Sequence, residues 1–470
     1  MNEAAGRQVA LAWADSVLDM AEFLATAGER VYLAGGAVRD AVLRRPVHDL
    51  DLVCSGGRRL ARRIADHWHG DYYSLDDARD VGRALIDTAD GRLVVDVARM
   101  RGDSLDDDLR ERDFTVNAMG VQLNGELDRV FDPTGGLADL TAKRLRQCSE
   151  QAIASDPIRA LRAVRMSVQF GLRIEAGTLA AVRAHAELLT RPSPERVRDE
   201  FFAILGLPKP AAALRVAWSL GLIVPVLPQW AELPALLRDR TLLTVERTGE
   251  LLRVIGPQRT DDTAAQFALG MAVMALDRYR GQLNTTLAQE LSMGRARRGL
   301  LIFAAMLSAF GPAQAAEMGR VLRLSRAECD WLELTLAALP GALELREPDE
   351  LAMHRYWRAA GSAGIDGLLL ALAATLAAQG AALDQDGWVR QLEAARLLLW
   401  AWFDRRSEVV EPAPLVTGAQ LMKALRLKSG PQIGALLDAL REAQVMGQVT
   451  TETEALELAA EILAGGQGGP

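Results

Sequence analysis

The chain has 470 residues, half of them hydrophobic and a quarter charged, with a formal net charge of −8. That length exceeds one core and implies roughly two to four domains of an ordinary soluble globular protein, while three cysteines without a CxxC spacing exclude a structural zinc site and fit a reducing cytoplasm. The negative balance argues against coating nucleic acid by bulk charge, yet basic residues outnumber acidic ones about two to one between 141 and 198, enough for a local basic channel.

In chain order, residues 1–24 carry acidic side chains and heptad-like apolar spacing, which predicts an amphipathic helix rather than a signal peptide. No apolar run reaches membrane-spanning length. The next stretch, VYLAGGAVRDAVLRRPVHDLDLVC at 31–54, organises the rest. Val31 to Ala34 predicts a short buried strand, Gly35-Gly36 a turn, Ala37 onward a helix, and Asp49 to Cys54 a second strand. Alternation puts Asp49 and Asp51 on one strand face, about 7 Å apart, with Leu50 and Leu52 on the other. A basic helix is expected over 58–69, strands at 71–75, 83–87 and 92–97, and a hairpin at Asn124-Gly125.

From about residue 150 the period becomes helical and strand signals vanish. Long Ala/Leu-rich helices run to about 405, with Pro/Gly punctuation expected at 206–210, 225–228, 256–257, 311–312 and 340–341. The linker Glu411-Pro412-Ala413-Pro414 precedes a compact helical end over 415–465, and the closing GGQGGP is expected to be disordered. Nine tryptophans read as helix-packing anchors; the His-Asp dipeptide, His48-Asp49, belongs to the 31–54 stretch, and the long middle has only His354, which argues against a phosphohydrolase there.

Four segments carry chemistry. A magnesium ion takes hard oxygen ligands, commonly one or two carboxylates plus substrate phosphates. Asp49 and Asp51 opposite a Gly-Gly turn suit that, although a lone Asp-x-Asp is ordinarily an exposed strand face. Gly35 and Gly36 let the backbone approach a phosphate, and Arg39 can point at the same group, with Asp40 as partner of that arginine or of the loop. In Arg112 to Met119, charged and polar residues are packed among apolar ones, and Asp113 and Asn117 could serve as cap and turn. Asp132 to Leu140 reads as a structural turn feeding a short helix. Asp156-Pro157 opens a helix on which Arg159, Arg162 and Arg165 share one face, either solvated or facing an anion.

Together these segments resemble the class II tRNA nucleotidyltransferases, which include CCA-adding enzymes and bacterial poly(A) polymerases. LAGGAVRD…DLDLV, RDFTVNAM, DPTGGLADL, DPIRALRAVR and PERVRDE occur in family order across 31–205, and Gly418…Gly430-Pro431-Gln432-Ile433-Gly434 is similar to the family's tail. The resemblance implies an α+β fold: a polymerase-β-like head over 1–150 with a mixed sheet and helices, then an all-α neck (151–225), body (226–410) and tail (411–470). It implies Mg2+ on Asp49 and Asp51, with Asp96 as a third carboxylate. The implied reaction is attack of an RNA 3′-hydroxyl on the α-phosphorus of a nucleoside triphosphate, with release of pyrophosphate. Gly36, Arg39 and Arg112 match nucleotide-contacting positions, and Asp156, Arg159, Arg162 and Arg165 match the nucleotide-selecting helix.

Selection also has its own chemistry. Cytosine and adenine each present an amine donor beside a ring-nitrogen acceptor, whereas uracil and guanine present the reverse. An aspartate accepting from the amine and an arginine donating to the ring nitrogen would take C and A, and Asp156 and Arg159 supply that pair. Arg162 and Arg165 are then placed for phosphates or for orienting the pair. Two departures from the family pattern are Ser155, where a glutamate is usual, and Glu111, where an arginine is usual. A third is that only Met100 to Asp103 separate the strand ending near Arg99 from Ser104. Enzymes that build a full CCA end carry a longer loop there, and a shortened one resembles CC-adding enzymes. The expected partners are tRNA, CTP and ATP, in the cytoplasm and away from membranes. A poly(A) polymerase and a silent RNA-binding relative are the alternatives. The acidic last helix and Gly-rich tail weigh against the first, and the intact Asp49, Asp51, Arg112, Asp156 and Arg159 against the second.

Overall fold

A computed structural model describes residues 6–47, 49–88, 91–257, 267–292 and 294–466. The chain divides into two compact units, Met1–Glu200 with Val216–Val226, and Phe201–Arg215 with Leu227–Pro470.

The first unit contains strands β1 (Arg7–Gln8), β2 (Tyr32–Ala34), β3 (Asp49–Cys54), β4 (Asp71–Asp76), β5 (Val81–Thr88), β6 (Gly91–Arg99), β7 (Gly120–Gln122), β8 (Arg129–Phe131), β9 (Arg144–Leu145) and β10 (Arg173–Ile174). Its helices are α1 (Asp15–Leu24), α2 (Gly36–Val42), α3 (Gly57–His67), α4 (Leu105–Arg110), α5 (Gly136–Thr141), α6 (Ala152–Ser155), α7 (Ile158–Phe170) and α8 (Ala176–Ala184), and α9 (Pro194–Leu205) begins there. Eight strands form one mixed sheet in the order β1-β8-β7-β2-β3-β6-β5-β4. β2 runs antiparallel to β3 with Leu33 opposite Leu52, and β3 runs parallel to β6 with Asp51 opposite Asp96. Leu50 and Leu52 are buried while Asp49 and Asp51 are exposed, so the period-2 pattern holds where it matters. β7 and β8 pair antiparallel across the expected Asn124-Gly125 turn.

The second unit is almost entirely helical. Helices Ala235–Val254 and Arg326–Glu344 both pack on Gly364–Gln379. Gly367 permits that approach, because a Cβ there would lie 2.7 Å from the Ala338 Cβ. Trp230, Trp357 and Trp388 are fully buried in this unit. At its C-terminal end, Val416, Leu421, Leu436, Leu440, Ala455 and Ala459 form a separate apolar cluster.

Several expectations need correction. The first described helix starts only at Asp15, because Arg7 and Gln8 pair with β8 instead; residues 1–5 lie outside the described residues. Strands do not vanish after 150: β10 pairs with β9, and Glu290–Ser292 pairs with Arg295–Ala296, ladders too short to leave a period-2 signature. Breaks occur at 206–210, 225–228, 256–257 and 311–312, but Pro340 lies inside the helix Arg326–Glu344. There the buried Leu336, Ala338 and Ala342 pack the last turns, outweighing the one hydrogen bond that proline cannot donate. The stretch Glu350–Gln379 is long and apolar enough to cross a membrane, contrary to the reading of apolar runs, yet 72% of its apolar window is buried within the unit. The last four residues of the glycine-rich end lie outside the described residues.

Candidate active site

Gly35 has a φ of +85°, a conformation that favours glycine. A Cβ on it would lie 2.7 Å from Arg112 Nη1 and 3.5 Å from Asp51 Oδ2. Three segments remote in sequence therefore meet at one point: the turn before α2, the acidic face of β3, and the segment after α4. Gly35→Ala would add backbone strain and push on both charged groups. It should lower kcat/KM for nucleotide incorporation about 100-fold, with the melting temperature checked in parallel to show that the fold is retained.

Asp51 is open to solvent on one side and crowded by protein on the others. Desolvation pushes its carboxyl up; Arg112 draws it down, and Asp96 and Asp49 push it up again, so it ends above the ordinary range. Mutual repulsion among neighbouring carboxylates is unfavourable for the protein alone and favourable around a hard divalent cation. Asp49 and Asp51 therefore fit such an ion by donor chemistry. Asp96 lies in register with Asp51, but both of its oxygens accept from Arg83, at 2.7 and 2.8 Å. Among the described residues no group of three or more His, Cys, Asp or Glu side chains converges to hold a metal.

The expected turn residues are tightly held. Gly36 begins α2, and Arg39 on that helix donates to both oxygens of Asp40 (3.0 and 2.9 Å) and to Asn117 Oδ1 (2.6 Å). The Arg39 guanidinium also lies 4.1 Å over the Phe170 ring, so this arginine ties α2 to α7. Asp113 does cap locally, accepting from the Phe114 N–H (2.8 Å) and the Asn117 amide (3.1 Å), and it also pairs with Arg162 at 2.8 Å. Burial alone would raise the Asp113 carboxyl, but Arg162 and these hydrogen bonds hold it below the usual range.

The arginine face of α7 is compensated from within the protein. Arg162 pairs with Asp113, and Arg165 pairs with Glu200 of the PERVRDE segment. Arg159 instead donates to the main-chain carbonyls of Arg112 (3.2 Å) and Glu111 (3.1 Å), and its charge joins that of Arg162 in holding the Asp113 carboxyl low. Asp156 Oδ2 accepts from Arg196 at 2.8 Å. The 132–140 segment is structural, as expected. Asp132 caps α5 through Gly136 N (2.6 Å), and the fully buried Asp139 accepts from Thr115 (2.6 Å), bracing the 115–117 turn.

Reading the sequence missed Asp108, Arg196 and Glu200, each of which holds a site residue. Asp108 and Arg112 stand four apart at a helix end, the spacing at which opposite charges meet, and that signal was available. Arg196 and Glu200 stand in the PERVRDE segment, but their partners Asp156 and Arg165 are tertiary contacts that the segment alone does not reveal.

A Poly A polymerase head domain matches residues 31–146, an RNA- and SrmB-binding region of polymerase A matches 171–233, and a tRNA nucleotidyltransferase domain 2 matches 301–460. A protein of Geobacter sulfurreducens named CC-adding tRNA nucleotidyltransferase is 32% identical over 91% of this chain and 91% of its own length. The chain belongs to the tRNA nucleotidyltransferase family. A further relative, of Deinococcus radiodurans, is named A-adding tRNA nucleotidyltransferase and is 31% identical over 90% of this chain and 93% of its own. Among solved structures, a CCA-adding enzyme with ATP superposes with a TM-score of 0.64 at 21% identity, covering 96% of this chain and 95% of its own. The family fold, a mixed-sheet head with a helical remainder, is therefore the fold of this chain, and nucleotidyl transfer is its chemistry.

Proposed function

We propose that this nucleotidyltransferase adds cytidylate residues from CTP to the 3′ end of tRNA and stops before the terminal A. The meeting of Asp51, Gly35 and Arg112 at one point carries the transferase part of this reading. The short connection supports the CC-only part: β6 ends at Arg99 and α4 begins at Leu105. The CC-adding name of the Geobacter relative, and of a Synechocystis relative 28% identical over 92% of this chain, points the same way.

In the reaction, the RNA 3′-oxygen bonds to the α-phosphorus of CTP as the bond to pyrophosphate breaks, and the hydroxyl proton leaves to solvent. Asp49 and Asp51 would hold Mg2+, which when bound supplies neutralisation of phosphate charge and acidifies the attacking hydroxyl. Asp96, fixed by Arg83, is assigned an electrostatic part through its effect on Asp51. The Gly35-Gly36 turn and Arg39 shape the floor of the site, and Arg112 faces the triphosphate. Asp156, with Arg196 on Oδ2, accepts from the base amine through its other oxygen, while Arg159 donates to the ring nitrogen. Arg162 and Arg165, tied to Asp113 and Glu200, orient that helix face. The head and neck (1–225) carry the transfer, and the body (226–410) and tail (411–470) take the tRNA, in the reducing cytoplasm that three free cysteines fit.

Incorporation on tRNA ending at the discriminator base, at C and at CC tests this, with CTP alone, ATP alone and both. Two cytidylates and no efficient AMP addition are expected, with activity lost in chelator and restored by Mg2+. Efficient AMP addition to the CC end would replace the CC-only reading by full CCA synthesis. AMP addition without cytidylate addition would place the chain with its A-adding relative.

A further inference from the structure

The connection after β6 is pinned rather than loose. Met100 N donates to Cys54 O on β3 at 2.8 Å, and Asp103 N donates to Asp107 Oδ2 at 3.2 Å. Gly102, with a φ of +68°, sits so close to Asp107 that a Cβ on it would lie 2.6 Å from the Asp107 Cβ. Asp108 adds the link that leads to the site. Its side chain is only 4% exposed. Oδ1 accepts from the Arg101 main-chain N–H at 3.2 Å, and Oδ2 accepts from Arg112 Nε and Nη2, both at 3.2 Å. One buried carboxylate thus holds the connection with one oxygen and Arg112 with the other.

From Arg112 the contacts continue in two directions. Its Nη1 faces the Gly35 turn beside Asp51, and its carbonyl accepts from Arg159. A shift of Arg112 would therefore be felt both at the acidic face and at the proposed base-reading arginine. A charge-assisted hydrogen bond between buried groups is directional and costly to break, so the carboxylate fixes the guanidinium plane as well as its charge.

We propose that Asp108 is a positioning residue for nucleotide discrimination: its buried carboxylate clamps the 100–104 connection to Arg112 and so sets the nucleotide site from outside it. The assignment rests on the reading of Arg112 as a nucleotide-contacting residue. It makes the short connection part of the specificity apparatus by a defined chemical link. A displaced connection should loosen selection even when every residue that touches the nucleotide is intact.

The test measures kcat and KM for CTP and for ATP on tRNA ending at C, in the full-length protein, with melting temperatures for every variant. Asp108→Asn keeps an acceptor for the Arg101 N–H and loses the charge that orients Arg112. It should raise the KM for CTP about tenfold and narrow the CTP-to-ATP preference by a similar factor, with kcat changed less. Gly102→Ala leaves Asp108, Arg112 and the acidic residues in place but forces the connection off Asp107. It should narrow the preference in the same direction, and Asp108→Glu should recover part of it. Unchanged preference in both Asp108→Asn and Gly102→Ala at wild-type melting temperature would overturn the clamp. So would an equal fall of activity with both nucleotides that tracks a lowered melting temperature. Arg112→Lys separates the two layers: if it leaves the KM for CTP unchanged, the reading of Arg112 fails. If it raises KM while Asp108→Asn does not, the clamp alone fails.

Discussion

Asp51→Ala should lower nucleotide incorporation about 1,000-fold or more, while tRNA affinity stays near that of the unmodified chain. The carboxylate stands where β3 meets the Gly35 turn and Arg112, and its own environment pushes it toward protonation. Such a carboxylate suits a cation that offsets its repulsion by Asp49 and Asp96, and removing it leaves Arg112 still paired with Asp108, so the loss falls on the acidic face itself. Asp49→Ala, on the same strand face, should act in the same direction. Single-turnover incorporation and a filter-binding assay on the same preparation measure the two quantities. Equal incorporation in the variant would sink the mechanism, and parallel loss of tRNA affinity would move Asp51 from chemistry to RNA binding.

The second large effect concerns stability and lies in the helical unit. Arg297 and Asp366 are both buried and ion-paired, and Arg297 also donates to Ser362 O (2.8 Å) and Gln289 Oε1 (3.2 Å). The Trp331 indole N–H donates to the same Asp366 oxygen at 3.2 Å. Burial raises the Asp366 carboxyl and Arg297 draws it down, so each group depends on the other to remain inside. Asp366→Ala leaves a buried guanidinium without its counter-ion, a change that costs about 3–5 kcal/mol. The expected result is a fall of about 10 °C in the unfolding midpoint of this unit. Asp366→Asn keeps an acceptor for Trp331 and Arg297 and should fall less. A thermal melt followed by far-ultraviolet circular dichroism distinguishes these outcomes, and an unchanged midpoint in Asp366→Ala would show that the pair is dispensable.

Local chemistry made much of the head legible. The strand at 49–54, the hairpin around Asn124-Gly125 and the helix after Gly36 rest on alternation, turn residues and glycine freedom, all readable over a few neighbours. Pro340 was misread as a break because proline's effect is local while the packing that holds that helix together is not. The ladders at 173–174, 290–292 and 295–296 were missed because two or three residues are too few to show a period of two.

The candidate site divides along the same line. Residue types alone nominate the candidates: an acidic strand face, a glycine turn, Arg112, and a helix opening with Asp156 and Arg159. Residue type and spacing within one element are sufficient for that. How they combine depends on the folded arrangement. It set Gly35 against Arg112 and Asp51, gave Asp96 to Arg83, and gave Arg162 and Arg165 to Asp113 and Glu200. It also placed Asp108 between the short connection and Arg112. Charge compensation and steric fit are pairwise properties of groups up to 77 positions apart, and most of these pairs are joined by β-sheet register and helix packing that no single stretch contains.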